Sequence, residues 1–227
     1  MYEYPKITNI FKRNMDAPGH PLDYGNYANE YLRALAGCTW YMHEKVDGTN
    51  IRIIWDGYRV SFAGRTDRAV IPGPLKKRLE ELFGGPENEE IFESLFGAKE
   101  AILYGEGYGE KIQKGGELYG PPDFILFDVM VSGGFLDVAS WAGICAAFGI
   151  KSVPLYDVGT LWDAVEIVAD GCKSMLKDDT AEGLVVRPVA PLYTKNGERI
   201  MAKIKTRDFE NMTDEEYARM EAMIADE

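Results

Sequence analysis

The sequence has few of the residues that build metal centres or covalent cross-links. It contains three cysteines, Cys38, Cys145 and Cys172, without a CxxC spacing, and two histidines, His20 and His43. That set is too small and too dispersed for a structural zinc site or a disulfide-stapled scaffold. We therefore expect free, mostly buried thiols in a reducing compartment, which favours the cytoplasm.

Long apolar runs are also missing. The sequence has no run of about 18 apolar residues, and its first six residues lack the apolar core of a secretion signal. No membrane partner is expected. The 227 residues, 46% of them hydrophobic and 27% charged, are ordinary for a globular chain that buries a sizeable core.

Positive charge is scarce, but it is concentrated. The net charge of -12 argues against a general nucleic-acid coat protein. Residues 208–227 hold eight acids and one arginine, whereas residues 52–78 hold seven bases and two acids. The second stretch, which we call the basic belt, predicts a local contact with a phosphate backbone.

Periodicity predicts a mixture of strands and helices. Asp56-Gly57 between two alternating runs predicts a β-hairpin. Residues 1–22 are predicted to be an extended arm with turns at its prolines and residues 24–35 a helix, and a glycine-rich segment covers residues 105–120. The other predicted helices cover residues 74–83, 88–96, 138–148 and 161–169 and a segment that begins at Thr213, and the other predicted strands cover 101–104, 124–129, 183–187 and 200–205.

Lys45 is the candidate nucleophile. It stands in Glu44-Lys45-Val46-Asp47-Gly48-Thr49-Asn50, where the glycine permits a sharp turn and the asparagine offers a donor and an acceptor. A lysine attacks only as the neutral amine, and Lys, unlike Arg, has a pKa that burial or nearby cations can lower. Taken alone, the motif is equally compatible with a solvated lysine before a turn.

Other polar residues acquire a chemical interpretation beside Lys45. Lys203 and Lys205, two apart on a predicted strand, point to one face and suit a triphosphate. Glu182 offers the hard oxygen ligands that Mg²⁺ prefers. Glu106 and Phe127 suit a ribose hydroxyl and a base. Each is individually compatible with a plain surface or core role.

The motifs in order resemble a known superfamily. They are Glu-Lys-Val-Asp-Gly-Thr-Asn (44–50), Gly-Arg-Thr (64–66), Gly-Glu-Gly (105–107), Phe-Asp (127–128), Glu-Gly-Leu-Val-Val-Arg (182–187) and Lys-Ile-Lys (203–205). The set resembles the covalent nucleotidyltransferases, that is, ATP-dependent ligases and mRNA capping enzymes. It is most similar to RNA ligases of the phage and RNA-editing type, because DNA ligases and capping enzymes usually carry Arg in place of Asn50.

This resemblance implies an ATP-dependent RNA ligase. Lys45 would attack the α-phosphate of ATP and hold AMP covalently, with Mg²⁺ or Mn²⁺ as the metal. The AMP would pass to an RNA 5'-phosphate, and a 3'-hydroxyl would then seal the strand. The implied nucleotide-binding residues are Glu44, Asn50, Arg65, Glu106, Phe127, Lys203 and Lys205, and the implied metal-binding residue is Glu182.

The resemblance also implies the α+β nucleotidyltransferase fold, with antiparallel sheets flanked by helices. Residues 1–207 would form the adenylyltransferase domain and residues 208–227 a short acidic helix. Because 22 residues follow Lys205, we expect no C-terminal OB-type or other accessory domain, and a protein or domain supplied in trans is a possible partner. Alternatives are a minimal DNA ligase, a GTP-dependent capping guanylyltransferase and a non-catalytic binder of nucleotides or RNA ends.

Overall fold

The protein consists of helices and of β-strands that pair mostly antiparallel. The structure is a computed structural model that describes residues 2–210 and 212–225. The strands are β1 Thr8–Asn9, β2 Phe11–Arg13, β3 Leu22–Tyr27, β4 Trp40–Glu44, β5 Thr49–Trp55, β6 Val60–Gly64, β7 Ala101–Tyr108, β8 Asp123–Val131, β9 Gly134–Phe135, β10 Lys151–Ser152, β11 Leu155–Gly159, β12 Gly183–Pro188 and β13 Ala202–Lys205. The helices are α1 Glu30–Ala34, α2 Gly73–Phe83, α3 Pro86–Phe96, α4 Trp141–Phe148, α5 Leu161–Ala169 and α6 Asp214–Ala225.

The chain divides into two compact units. Unit 1 contains the residues up to Pro5 and Val46–Val153, and unit 2 contains Lys6–Lys45 and Pro154–Glu227. The boundary falls directly after Lys45. The division into residues 1–207 and 208–227 stays a prediction.

Unit 1 is built on a sheet with the strand order β10-β8-β7-β5-β6, and β9 pairs with β8. The predicted hairpin joins β5 to β6, and the Asp56 carboxylate accepts hydrogen bonds from the backbone N–H groups of Tyr58 and Arg59, both at 2.8 Å. An apolar core includes Phe83, Phe92 and Phe148, which belong to α2, α3 and α4. The predicted helices of this unit are confirmed.

The strand predicted for residues 101–104 is longer than expected, because β7 continues into the glycine-rich segment through Gly105 and Gly107 to Tyr108. Both glycines are sites of close packing. A Cβ atom on Gly105 would lie 2.2 Å from the Phe124 ring, and one on Gly107 would lie 2.3 Å from Leu75. The glycines therefore admit neighbouring side chains to the sheet, and do not mark a turn.

Unit 2 is built on a sheet with the strand order β1-β13-β12-β4-β11. One face of this sheet packs into an apolar core through Trp40, Met42, Leu184, Val186 and Ile204. Since side chains alternate along a strand, the intervening residues lie on the opposite face. That second face carries His43, Lys203 and Lys205.

The N-terminal predictions need correction. The extended arm predicted for residues 1–22 is paired with the rest of unit 2, because β1 pairs in parallel with β13 and β2 pairs with β3. The helix predicted for residues 24–35 begins only at Glu30, since Tyr24 and Tyr27 belong to β3. Asn29 caps the helix and accepts a hydrogen bond from the Leu32 N–H, which fixes the start there.

The predicted capping box of α6 is confirmed. Thr213 Oγ1 accepts a hydrogen bond from the Glu216 N–H at 3.2 Å, and the Glu216 carboxylate accepts one from the Thr213 N–H at 2.9 Å. Met220 is buried, whereas the predicted apolar contact of Ile224 lies outside the described side chains. Among the described residues, no helix is long and apolar enough to cross a membrane.

Candidate active site

Lys45 lies in unit 2 at the end of β4. Its backbone N–H donates to the Gly183 carbonyl at 2.9 Å, which continues the pairing of β4 with β12 beyond Glu44. This hydrogen bond places the Lys45 side chain beside Glu182, and Lys45 Nζ lies 2.6 Å from Glu182 Oε2. The candidate nucleophile and the candidate metal ligand are therefore in direct contact.

Glu182 also binds a second lysine. Lys205 Nζ lies 2.5 Å from the other carboxylate oxygen, Oε1. Burial alone would raise the pKa of Glu182, but attraction from Lys45 and the hydrogen bonds from both lysines outweigh it and lower the pKa. The carboxylate is thus held ionised between two cations.

Lys203 lies on the same face of β13 as Lys205, as predicted, because Ala202 and Ile204 alternate with them and point into the core. Within the described part of the chain, Lys203 forms no ion pair. Burial, and then repulsion from Lys205 and Lys45, lowers its pKa. Three lysines and one glutamate leave this cluster with surplus positive charge.

Glu44 is turned away from this cluster by its own partners. Its side chain accepts hydrogen bonds from the Ser174 hydroxyl and from the Met175 N–H, the latter at 2.7 Å, and the residue is 1% exposed. The carboxylate thereby ties the segment before Glu182 to the end of β4. Sequence reasoning missed Ser174, because nothing in its local sequence indicates a partner 130 residues away.

Asn50 and Glu106 face each other in unit 1. They are paired residues of β5 and β7. Asn50 Oδ1 is buried and accepts no hydrogen bond from any described residue. A buried acceptor without a donor costs free energy, so it favours a ligand that supplies one.

Phe127 lies half-buried on β8, and its ring meets the edge of Tyr4 with centroids 4.9 Å apart. The Tyr4 hydroxyl donates to Asp128 Oδ2 at 2.7 Å, which fixes the tyrosine. Tyr4 was not predicted as part of the site. Its contact gives the Phe127 ring a defined orientation.

The turn after Lys45 is fixed from within unit 1. A Cβ atom on Gly48 would lie 2.3 Å from the Gly107 carbonyl oxygen, so only glycine fits. Gln113 Nε2 donates to the Gly48 carbonyl at 3.1 Å, and the Asp47 N–H donates to the Tyr119 hydroxyl at 3.3 Å. Gln113 belongs to Ile112-Gln113-Lys114, a further stretch between Glu106 and Phe127 that resembles the RNA ligases, whereas nothing in the sequence singled out Tyr119.

The basic belt is weaker than its composition predicts. Arg52 is fully buried and donates hydrogen bonds to Gly64 and Asp67, so it stabilises the hairpin from inside. The charges of α2 are offset within the helix, and Lys76 Nζ and Lys77 Nζ each lie 3.9 Å from a glutamate one turn later. Arg65, the predicted nucleotide contact, is exposed just beyond β6.

The residues present do not form a complete metal cage. Among the described residues, no group of three or more His, Cys, Asp or Glu could hold a metal ion. Glu182 supplies one carboxylate. Mg²⁺ usually binds through one or two carboxylates together with phosphates and waters, so Glu182 fits a metal that arrives with a nucleotide.

Comparison with known proteins gives a consistent result. A family model described as RNA ligase matches residues 39–205. Among solved structures, a lysine-to-alanine mutant of a Naegleria gruberi RNA ligase with ATP and Mn is 19% identical, with a TM-score of 0.61 over 100% of this chain and 64% of that chain.

Two other forms of the Naegleria gruberi RNA ligase are similar to the same extent. An aspartate-to-alanine mutant without ligand is 20% identical, with a TM-score of 0.62 over 94% of this chain and 64% of that one. The ligase with pyrophosphate is 20% identical, with a TM-score of 0.61 over 92% and 63%. This chain therefore spans less than two thirds of the length of those ligases. At these sequence identities, the similarity shows a shared fold.

Proposed function

Because the chain belongs to the RNA ligase family, we propose that it is an ATP-dependent RNA ligase that works through a covalent lysyl-AMP intermediate. The observation that carries this proposal is the contact of Lys45 with Glu182, 2.6 Å between Nζ and Oε2, with Lys205 on the other oxygen. We also propose the nucleotidyltransferase fold for residues 1–207, followed by a short acidic helix in residues 208–227.

The first chemical step is attack by the Lys45 amine on the α-phosphorus of ATP. A phosphorus–nitrogen bond forms, the bond to the β-phosphate oxygen breaks, and pyrophosphate leaves. An amine that donates to a carboxylate as an ammonium group is not a nucleophile, so Lys45 must lose a proton first. Glu182 holds the amine in position for that event.

The next two steps transfer the AMP. An oxygen of an RNA 5'-phosphate attacks the adenylyl phosphorus, releases Lys45 and forms a pyrophosphate-linked RNA end. A 3'-hydroxyl then attacks the RNA 5'-phosphorus, and AMP leaves. RNA with these two ends is the proposed substrate, and the three free cysteines suit a reducing cytoplasm.

The proposed binding roles follow from the positions of the side chains. Lys203 and Lys205 bind phosphates, since their cluster has surplus positive charge. Glu182 binds a divalent metal, which neutralises phosphate charge when it is bound. Glu44 acts as a positioning residue, because Ser174 and Met175 occupy its carboxylate.

In unit 1 we propose that the AMP part of ATP meets four residues. Asn50 and Glu106 hydrogen-bond the ribose, which the orphaned Asn50 oxygen supports. Phe127 stacks on adenine, and Arg65 contacts sugar or phosphate. The Naegleria gruberi relatives hold ATP or AMP with Mn, which supports Mg²⁺ or Mn²⁺ as the metal here.

Self-adenylylation tests the proposal. We expect wild-type protein incubated with ATP labelled on the α-phosphate, and then denatured, to retain the label covalently, and Lys45→Ala to retain none. Lys195→Ala, which alters an exposed lysine far from Lys45 in sequence, is the matched control and should label like wild type. Label retained by Lys45→Ala would reject the nucleophile.

Further outcomes separate the alternatives. Label from GTP alone would indicate a capping guanylyltransferase, and sealing of nicked DNA but not nicked RNA would indicate a DNA ligase. Binding of RNA ends without any wild-type label would indicate a non-catalytic binder.

A further inference from the structure

A groove of about 440 Å³ lies in unit 1 where β7 ends and β8 begins. Its walls come from the strands β7, β8 and β10, the helix α2 and the loop that joins β7 to β8. The lining residues are Arg78, Tyr108, Tyr119, Pro121–Pro122, Asp123 and Lys151. None of them belongs to the motifs that define the proposed reaction.

The groove has a fixed shape. Gly109 has a φ of +113°, and a Cβ atom there would lie 2.6 Å from the Pro121 carbonyl oxygen, so the two ends of the loop close tightly. The Glu110 N–H donates to the Gly120 carbonyl at 2.8 Å and locks the closure. This closure presents the prolines beside Tyr108.

Two aromatic rings form the apolar part of the groove. Tyr108 and Tyr119 meet edge to face, with centroids 5.4 Å apart and an interplanar angle of 69°. Burial, and then the nearby Asp123 charge, raises the pKa of Tyr108 to about 12, so its hydroxyl is a neutral hydrogen-bond donor near pH 7. Such rings, with adjacent proline faces, suit a nucleobase or a ribose.

Two cations form the polar part. Arg78 Nε donates to Asp123 Oδ1 at 3.0 Å, which fixes the guanidinium at the groove wall. Lys151 is exposed and forms no ion pair with any residue that the structure describes. An exposed ammonium group beside an aromatic surface suits a phosphate.

The groove is also connected to residues near the proposed reaction. Tyr108 lies two residues beyond Glu106, about 7 Å along the same strand and on the same face. The Tyr119 hydroxyl accepts a hydrogen bond from the N–H of Asp47, which follows Lys45 by two residues. A ligand in this groove would therefore lie next to the candidate ribose contact of unit 1.

We propose that this groove binds one nucleotide of the substrate strand, with its base or ribose on the half-buried Tyr119 ring, which packs on the buried Tyr108, and its phosphate on Lys151 and Arg78. The identification of that strand as RNA rests on the proposed ligase function. The groove itself is defined independently, by a stacking surface beside a free cation.

Photocross-linking tests the location. A 5'-phosphorylated single-stranded RNA that carries 4-thiouridine should cross-link to the peptide that contains Tyr108 or to the one that contains Tyr119. Cross-links confined to other peptides would overturn the proposal. This readout needs no turnover, so failure of self-adenylylation in the wild type would reject the ligase function without deciding the groove.

Binding of the same RNA, measured by fluorescence anisotropy, tests the chemistry. Lys151→Glu should lower the slope of log affinity against log salt by about one, and Tyr119→Ala should weaken binding by about tenfold through lost stacking. Tyr119→Phe, which keeps the ring, should bind like wild type. Lys195→Glu applies the same charge change elsewhere and serves as the control.

Two results would contradict this assignment. Wild-type affinity and salt slope in both Lys151→Glu and Tyr119→Ala would exclude the groove as an RNA site. An equal loss in Lys195→Glu would show that only the overall charge matters. Thermal unfolding of each variant checks that the fold is retained.

Discussion

At the scale of single residues, Glu182 organises the cationic cluster of unit 2. It holds Lys45 and Lys205 by separate oxygens, at 2.6 and 2.5 Å. With Lys203, the cluster contains three ammonium groups and one carboxylate, so its formal charge is positive within a chain of net charge -12. The surplus makes this the part of unit 2 best suited to phosphates.

His43 gives a pH-dependent prediction. It lies two residues before Lys45 on β4 and is 2% exposed, and burial, followed by repulsion from Arg187, lowers its pKa from 6.5 to about 3. Between these values the unfolded chain binds a proton that the folded protein does not. As the pH is lowered below about 6.5, the free energy of unfolding should therefore decrease, by up to about 1.4 kcal/mol per pH unit.

Urea unfolding of wild type and His43→Gln, measured from about pH 7 down to pH 4, checks this expectation. The variant should show the shallower pH dependence, since it lacks the titrating group. His20→Gln, which removes an exposed imidazole, is the control. Equal slopes in wild type and His43→Gln would contradict the assignment.

The sequence predicted the residues of the candidate site more completely than their partners. Lys45, Glu182, Lys203 and Lys205 were predicted by their motifs, and unit 2 brings them together. Ser174 could not be predicted, because a hydroxyl in a loop carries no sign of which distant carboxylate it will contact. Hydrogen bonds between segments far apart in sequence depend on the tertiary fold, which local sequence patterns do not determine.

At the scale of elements, glycines inside β7 permit close packing. Gly105→Ala should destabilise the protein by about 1–3 kcal/mol, because the new methyl group would overlap the Phe124 ring and the Ile125 carbonyl, at 2.2 and 2.5 Å. Thermal or urea unfolding measures the change. A neutral or stabilising effect would contradict the packing described for β7.

The matched control is Gly143→Ala in α4. No atom lies within 4 Å of a Cβ placed there, and alanine has the higher helix propensity. This variant should be as stable as wild type or more stable by up to about 1 kcal/mol.

The same glycines explain where element prediction failed. Helices α2, α3 and α5 were predicted near their observed bounds, because amphipathic periodicity over about ten residues is a strong local signal. The strand predicted for residues 101–104 was too short, since glycine permits both turns and close packing and the segment after residue 104 is rich in it. The start of α1 was misplaced because Tyr24 and Tyr27 have helical spacing yet pair within β3.

At the scale of the whole molecule, charge is balanced locally along α2. Removing one complete ion pair, by replacing Lys76 and Glu80 with glutamine, leaves the net charge unchanged. RNA affinity and its salt slope should then stay at the wild-type level, as measured by anisotropy.

For two exposed arginines of the basic belt we expect the opposite result, a change in the salt slope. Arg59 and Arg68 form no ion pair with any residue in the described ranges. If they contact phosphates, Arg59→Gln combined with Arg68→Gln should lower the salt slope by about two. An unchanged slope would reject the belt as an RNA contact.

The interleaving of the two units has a consequence for protein synthesis. The continuous segment of unit 1 ends at Val153, so this unit can complete its sheet while the rest of the chain is still being translated. In unit 2, β4 must wait for its neighbours β11 and β12. Domains generally fold as units during translation. We therefore expect unit 1 to fold first on the ribosome, with Lys45 joining its sheet partners only after β12, which ends at Pro188, has emerged.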